Sequence, residues 1–207
     1  MSETKIVQVP VGHMANYAYL IGDLVTKTCA VVDPSWDPDR IIAAAAEAGW
    51  EITTILLTHT HYDHANALEP LVERTGGKTY VHVAEKSAIP IGVDAVTTED
   101  GAEIHVGRTL VTCMHTPGHT PGSQCFLTAD HVITGDTLFV GACGRTDLPG
   151  GSAELLIRSL QRLAALPAET TVYPGHDYGD RPTSTIGVQK KTNSFMDPQL
   201  AMRMLGS

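Results

Sequence analysis

The sequence has few cysteines and few basic side chains. Its four cysteines, Cys29, Cys113, Cys125 and Cys143, contain no Cys-x-x-Cys pair, so a disulfide framework is not expected. The first three lie in apolar, strand-like runs and are predicted to be small core residues. Fourteen Lys and Arg against 23 Asp and Glu give a net charge of −9. This balance argues against nucleic acid or an anionic membrane surface as a partner.

A long apolar run and a targeting segment are also missing. No run approaches membrane-spanning length, and residues 1–5 carry no signal-peptide pattern, so we expect a cytoplasmic protein. The 207 residues, 43% hydrophobic and 18% charged, have the composition of a globular enzyme with one full core. We see no linker or low-complexity segment, and we predict a single domain over residues 1–207. No pattern specifies an oligomeric state.

What the sequence does contain is a dense polar cluster at residues 58–64. Three histidines and an aspartate, His59, His61, Asp63 and His64, fall within six positions. They follow an apolar, β-branched run that predicts a buried strand, and open α/β folds place their chemistry at strand ends. Imidazole and carboxylate are ligands for zinc or iron. A solvated polar loop would not need this density, so the cluster predicts a metal site.

Hydrophobic periodicity and turn residues predict an α/β fold with two mixed β-sheets packed face to face and helices covering the outer faces. Asp37 and Pro38 are typical of a helix start, as N-cap and first helical residue. The predicted strands are 5–9, 16–21, 28–33, 52–57, 79–83, 103–106, 109–115, 123–128, 131–134 and 170–173, and the predicted helices are 37–48, 66–74, 152–165 and 184–191, followed by loop.

Three further candidate ligands lie in loops or just beyond predicted strands: His119, Asp136 and His176. Each histidine alone would more often be a hydrogen-bonded loop residue. Together with residues 59–64 they supply about the number of donors that two metal ions need. Asp33, which also follows a strand, is expected to hydrogen-bond a ligand histidine. Trp36 is expected either to wall the substrate cleft or to pack as a surface aromatic.

These motifs resemble the five motifs of the metallo-β-lactamase superfamily, and the resemblance covers nearly the whole chain. It implies the αββα sandwich of that family and a dinuclear metal centre. By the resemblance, one metal is held by His59, His61 and His119, the other by Asp63, His64 and His176, and Asp136 bridges them.

Within that superfamily, residues 135–145 and 173–178 are similar to glyoxalase II, the hydroxyacylglutathione hydrolases. The resemblance implies two divalent ions, with zinc favoured over iron or manganese, and Arg145 and Tyr178 as contacts to a glutathione moiety. The implied activity is hydrolysis of a small anionic thioester, with Asp63 orienting the nucleophile and accepting its proton. A lactone would suit the same chemistry.

Two departures leave alternatives open. Longer glyoxalase II enzymes carry a C-terminal helical domain, most of which is expected to be absent here. Residues 143–147, 176–178 and 183–185 also resemble the persulfide dioxygenases, whose single iron is held by the equivalents of His59, His119 and Asp136. Because those three ligands belong to the two-metal set as well, ligand identity does not separate the two families. A non-enzymatic metal-binding module is the least favoured alternative.

Overall fold

The computed structural model describes residues 4–205, so part of the segment examined for a signal peptide lies outside the described residues. Two six-stranded sheets pack face to face, and a short hairpin, β11–β12, lies beside the second. The strands are β1 (Thr4–Val11), β2 (Asn16–Asp23), β3 (Thr28–Val32), β4 (Glu51–Leu56), β5 (Lys78–His82), β6 (Ala95–Thr98), β7 (Glu103–Val106), β8 (Thr109–His115), β9 (Gln124–Leu127), β10 (His131–Gly135), β11 (Leu138–Phe139), β12 (Ala142–Cys143), β13 (Thr171–Pro174) and β14 (Ser184–Thr185).

Strand direction in the sheets brings several strand ends to one edge. In the first sheet β1, β2 and β3 form an antiparallel meander, and β3 to β6 then run parallel. The second sheet is antiparallel except where β10 pairs with β13 in parallel. Parallel neighbours need a crossover, which helices provide. The helices are α1 (Pro38–Glu47), α2 (Tyr62–Ala65), α3 (Leu68–Thr75), α4 (Ala153–Ala164), α5 (Ile186–Thr192) and α6 (Pro198–Leu205).

Three apolar clusters hold together four layers, in the order helices, first sheet, second sheet and helices. The first packs α1 and α3 against the outer face of the first sheet, through residues such as Ile41 and Leu68. The second lies between the sheets and includes Phe126. The third packs α4 against the second sheet through residues such as Leu156 and Leu160. This is the predicted αββα architecture, which is therefore confirmed.

Local sequence accounts for where the outer helices begin. Asp37 Oδ1 accepts a hydrogen bond from the Arg40 amide at 2.9 Å, with proline at the first turn of α1. Ser152 caps α4 in the same way through the amide of Leu155. Such caps satisfy amides that have no partner within the helix. None of the helices within residues 4–205 is long and apolar enough to cross a bilayer.

The prediction of loop after residue 191 is wrong, because α6 occupies Pro198–Leu205. The side chain of Asp197 accepts hydrogen bonds from the amides of Gln199 and Leu200, and Leu205 at the end of the helix packs against the third cluster. Strand β6 and the one-turn helix α2 were also not predicted. Both are only four residues long, too short to show a period.

Candidate metal centre

Four loops at one edge of the sandwich bring the candidate ligands together. Residues 57–61 follow β4 and lead into α2, which carries Asp63 and His64. His119 lies in the loop between β8 and β9. Asp136 and His176 each come shortly after the parallel strands β10 and β13, so both point from the same edge. All seven candidate ligands therefore lie in one cluster, although they span more than half the chain.

The first trio is His59, His61 and His119. One ligand atom of each lies within 4.8 Å of the others, and His61 Nδ1 is 2.9 Å from His119 Nε2. His59 and His119 are buried, whereas His61 is half-buried and faces the opening. Three imidazoles arranged in this way could hold one metal ion and leave a position open to solvent.

The second trio is Asp63, His64 and His176. His64 Nε2 and His176 Nε2 are 3.1 Å apart, and each is 3.4 Å from Asp63 Oδ2. Asp136 lies between the trios: its oxygens are 3.3 Å from His64 Nε2, 3.4 Å from His176 Nε2 and 3.5 Å from His119 Nε2. This is the position a bridging carboxylate requires.

Hydrogen bonds on the far side of each ring determine which nitrogen faces the centre. His119 Nδ1 donates to the carbonyl of Arg145 at 2.8 Å, and His176 Nδ1 donates to that of Met14 at 2.9 Å. His64 Nδ1 donates to Asp33 Oδ2 at 3.0 Å. Because these acceptors carry no proton, each Nδ1 must carry one. All three Nε2 atoms therefore face inward.

Asp33 anchors a second histidine indirectly. The Thr58 hydroxyl donates to Asp33 Oδ2 at 2.6 Å, so its oxygen is left to accept from His59 Nδ1 at 3.0 Å. The same carboxylate accepts from the Thr58 amide at 2.7 Å. Asp33 therefore orients His64 directly and His59 through Thr58, which agrees with the expectation that it supports a ligand histidine.

The donor set fits metal ions. His59 Nε2 and Asp136 Oδ1 are buried and make no hydrogen bond, which is costly unless another ligand satisfies them. The Nε2 atoms of His64 and His176 are 3.1 Å apart, and each is 3.4 Å from Asp63 Oδ2, so a proton or a metal ion must lie between these groups. An imidazole and carboxylate set of this kind is typical of zinc or iron.

The pKa values in the metal-free site show the same demand for positive charge. Burial lowers the pKa of His59, with the neighbouring His64 adding to the effect. Burial also acts to lower the pKa of His176, but hydrogen bonds to Asp136 and Asp63 outweigh it and raise that pKa to about 9. Asp136 and Asp33 likewise raise the pKa of His64. The carboxylates thus stabilise cations at the second trio.

Glycines allow the close approach of these loops. A Cβ on Gly175 would overlap Asp136 Oδ1, and one on Gly144 would overlap the Asp136 carbonyl. Gly135, predicted to permit a close contact before the aspartate, has φ +46° and lies against the Thr58 hydroxyl. A side chain at any of these positions would displace Asp136 or the Thr58 side chain.

A cavity of about 370 Å³ opens over the centre. Arg145 and Tyr178 both line it. Arg145 is 62% exposed and forms a two-point ion pair with Asp147, with both N–O distances at 2.7 Å. The Tyr178 ring stacks on His176, with centroids 4.5 Å apart. Trp36 is not among the lining residues of the cavity; it packs, partly buried, against the first cluster.

Two supporting residues were missed by the sequence reasoning. Buried Asn16 donates to Asp63, and buried Glu85 accepts from the Thr60 hydroxyl and from the Gly122 amide at 3.0 Å. Glu85 thereby ties the loop that carries His59 and His61 to the loop that carries His119. Neither residue has a signal in the sequence, because each meets the site only through the tertiary fold.

A two-sheet sandwich with a histidine and aspartate centre at one sheet edge defines a class of metal-dependent proteins. Residues 11–176 match the Metallo-beta-lactamase superfamily. This match covers well over half of the chain, and the chain belongs to that superfamily.

Individual relatives bear different names. The chain is 38% identical over 183 residues to the probable polyketide biosynthesis zinc-dependent hydrolase BaeB of Bacillus velezensis, covering 87% of this chain and 81% of that protein. It is 40% identical over 165 residues to a hydroxyacylglutathione hydrolase of Rhodospirillum rubrum, covering 79% of this chain but only 62% of that protein's length. The crystal structure of ETHE1 from Myxococcus xanthus is similar with a TM-score of 0.88 and 34% identity, covering 98% of this chain and 90% of that one.

Proposed function

We propose that this protein is a dinuclear metal-dependent thioesterase that acts on a small acyl-glutathione such as S-lactoylglutathione. The observation that carries the proposal is the pair of trios with Asp136 between them. A site for one metal would need only one of those trios. The similarity to relatives named as hydrolases supports the reaction type.

Two divalent metal ions in this centre, with zinc favoured, would lower the pKa of a bound water and polarise a carbonyl oxygen. The chain's own part is orientation and proton transfer. Asp63 lies at the cavity wall next to His64 and His176, where its carboxylate can orient the attacking oxygen and accept its proton. A thiolate leaving group needs little acid assistance because the pKa of a thiol is only about 8.5.

Arg145 is the proposed contact to the carboxylate of a glutathione moiety. Its present partner is Asp147, and both side chains are more than 60% exposed. An exposed ion pair adds little to stability because water and salt screen its charges. The guanidinium can therefore exchange Asp147 for a substrate carboxylate at little cost, while Tyr178 forms the adjoining wall of the cavity.

A mononuclear iron persulfide dioxygenase is the second candidate. The observation that favours it is that His59 and His119 lie in one trio and that Asp136 Oδ2 is 3.5 Å from His119 Nε2, which places the three residues expected to hold a single iron close together. The similarity to the ETHE1 structure extends over nearly the whole of both chains. This candidate leaves the inward Nε2 atoms of His64 and His176 without a metal ion.

Both activities should be measured on one preparation purified without added metal, together with its metal content. The thioesterase predicts about two equivalents of metal and release of glutathione from S-lactoylglutathione. The dioxygenase predicts one equivalent of iron and oxygen uptake with glutathione persulfide. Oxygen uptake without thioester hydrolysis, on protein with one iron, would overturn the proposal.

The substrate contact is tested by Arg145→Ala. Losing a charge-assisted hydrogen bond to the substrate weakens binding about tenfold or more. If Arg145 holds ground and transition states equally, KM should rise by that factor while kcat stays nearly constant. Arg158→Ala is the matched control, because Arg158 also forms an exposed ion pair, with Glu154 on α4. An unchanged KM in Arg145→Ala would remove Arg145 from the substrate site.

A further inference from the structure

Asn16, the first residue of β2, is almost completely buried and holds Asp63 at two points. Its side-chain nitrogen donates to Asp63 Oδ2 at 3.0 Å and to the Asp63 backbone carbonyl at 3.1 Å. Only 1% of Asn16 is exposed, so water does not compete for these hydrogen bonds. One amide therefore restrains both the backbone and the carboxylate of a proposed metal ligand.

Trp36 determines which way that amide points. Its indole Nε1 lies 3.0 Å from Asn16 Oδ1. An indole N–H can only donate, so the amide oxygen must face Trp36 and the amide nitrogen must face Asp63. The rotated amide would put two donors face to face on one side and two acceptors on the other. A single orientation is therefore favoured at both ends of the side chain.

A further hydrogen bond completes a closed ring of contacts through Asp63, Asn16, Trp36 and Asn66, which we call the circuit. The Trp36 amide donates to Asn66 Oδ1 at 2.6 Å, and Asn66 is the residue that follows α2. Helix α2 carries Asp63. The path from α2 through Asn66, Trp36 and Asn16 thus returns to α2, so the short helix is held at both its carboxylate and its end.

The backbone around this circuit is in uncommon conformations. Ala15 has φ +57° and Trp36 has φ +59°, in the left-handed region that residues with a Cβ rarely adopt. A hydrogen bond at 2.8 Å from the Asp177 amide to the Ala15 carbonyl holds Ala15 in this conformation, and Asp177 directly follows His176. Such conformations persist where surrounding contacts hold them, and they cluster at functional sites.

We propose that Asn16 is a positioning residue that holds the Asp63 carboxylate in place at the second trio, and that Trp36 fixes the orientation of Asn16. The inference rests on the proposed two-metal centre. Without Asn16 the Asp63 side chain can rotate away from His64 and His176, so the second metal should bind more weakly. His61 of the first trio precedes α2, but within residues 4–205 neither Asn16 nor Trp36 hydrogen-bonds a side chain of that trio, so its metal should be retained.

The test compares Asn16→Ala and Trp36→Phe with the wild-type protein. Trp36→Phe keeps an aromatic ring but removes the indole donor. Tyr62→Phe is the matched control, since Tyr62 packs against Trp36 with ring centroids 6.0 Å apart but its hydroxyl is no part of the circuit. Zinc affinity is measured by titration of the metal-free proteins, with bound zinc counted by elemental analysis, and folding is checked by circular dichroism.

We expect Asn16→Ala to lose about 10- to 100-fold in affinity for the second zinc ion with the first retained, as for other residues that orient ligands. Trp36→Phe should lose less affinity for the second zinc ion, and Tyr62→Phe should lose none. The double variant should be no weaker than Asn16→Ala, because Trp36 acts through Asn16. In thioester hydrolysis at saturating zinc, kcat should fall with KM nearly constant.

Unchanged affinity for the second zinc ion in either variant, or additive losses in the double variant, would overturn the inference. If Asn16→Ala does not fold, Trp36→Phe and its control decide the matter. A wild-type protein that takes up only one zinc ion would instead refute the two-metal proposal. The two failures are therefore distinguishable.

Discussion

Removing metal from this protein should destabilise it, and the loss should grow with pH. The seven candidate ligands come from four separate loops, so metal binding links segments that the chain alone holds by fewer contacts. A ligand present at 100 times its Kd stabilises the folded state by about 2.7 kcal/mol per site. In a chain of this length each kcal/mol corresponds to about 2–4 °C in Tm. Two occupied sites thus predict a Tm difference of about 10–20 °C.

Protons partly replace the metal in the second trio, which sets the pH dependence. The pKa of His176 in the metal-free protein is raised to about 9, against a usual value of about 6.5. A raised pKa contributes stability that is full below pH about 6.5 and is lost as pH rises through about 9. The metal-free protein should lose stability across this window. The Tm gap between metal-bound and chelated protein should therefore widen from pH 6.5 to pH 9.

Thermal unfolding followed by circular dichroism, with excess zinc or with a chelator, measures this gap. Asp136→Ala serves as the control, because it removes the proposed bridge and should lose most bound metal and respond little to the chelator. Identical melting curves with and without chelator in the wild-type protein, or a gap that narrows as pH rises, would refute the reasoning.

Two other substitutions probe single contacts. Gly175→Ala should keep the fold but reduce metal content and lower kcat more than about tenfold, because its Cβ would overlap Asp136 Oδ1; normal metal content would contradict this steric argument. Asp23 is buried and accepts backbone hydrogen bonds from two tight turns, including the amides of Val25 at 2.7 Å and Thr109 at 3.0 Å. Although burial raises its pKa, these amides lower it overall, so its contribution is present above pH about 4 and is lost as pH falls through the lowered value. Asp23→Asn should lower the free energy of unfolding, measured with urea at pH 7, by about 1.5–3 kcal/mol. The stability of the variant should also fall less steeply as the pH is lowered, and an unchanged pH dependence would count against this role.

The candidate ligands could be proposed from the sequence because their signal is local. His59, His61, Asp63 and His64 are crowded into six positions directly after a buried strand, and no packing role explains that density. His176 follows a strand in the same way. The longer strands were equally predictable, since each has its own apolar run and turn residues, whereas the short strands β6, β11, β12 and β14 were not predicted. Helix α6 begins with Asp197 and Pro198, the same Asp-Pro pattern that starts α1, so the sequence does carry a signal for this helix although it was not predicted.

The residues that support the ligands could not be found in this way. Asn16 is 47 positions from Asp63, and Glu85 is 25 from Thr60 and 37 from Gly122. Each is an ordinary polar residue in its own segment, and its role arises only when the sheets pack. A hydrogen bond between distant residues leaves no period or spacing in the sequence.

Contacts from distant segments orient several of the candidate ligands. The ligand cluster after β4 can form as soon as that strand pairs, but Asp63 is oriented only when the start of β2 reaches α2, and His119 only when Glu85 joins its loop to Thr60. The final geometry of these donor atoms therefore depends on contacts between segments that are brought together by the packed sheets. Metal that binds the folded centre then stabilises the whole sandwich and not one loop, because most of the contacts that orient the candidate ligands join segments distant in sequence.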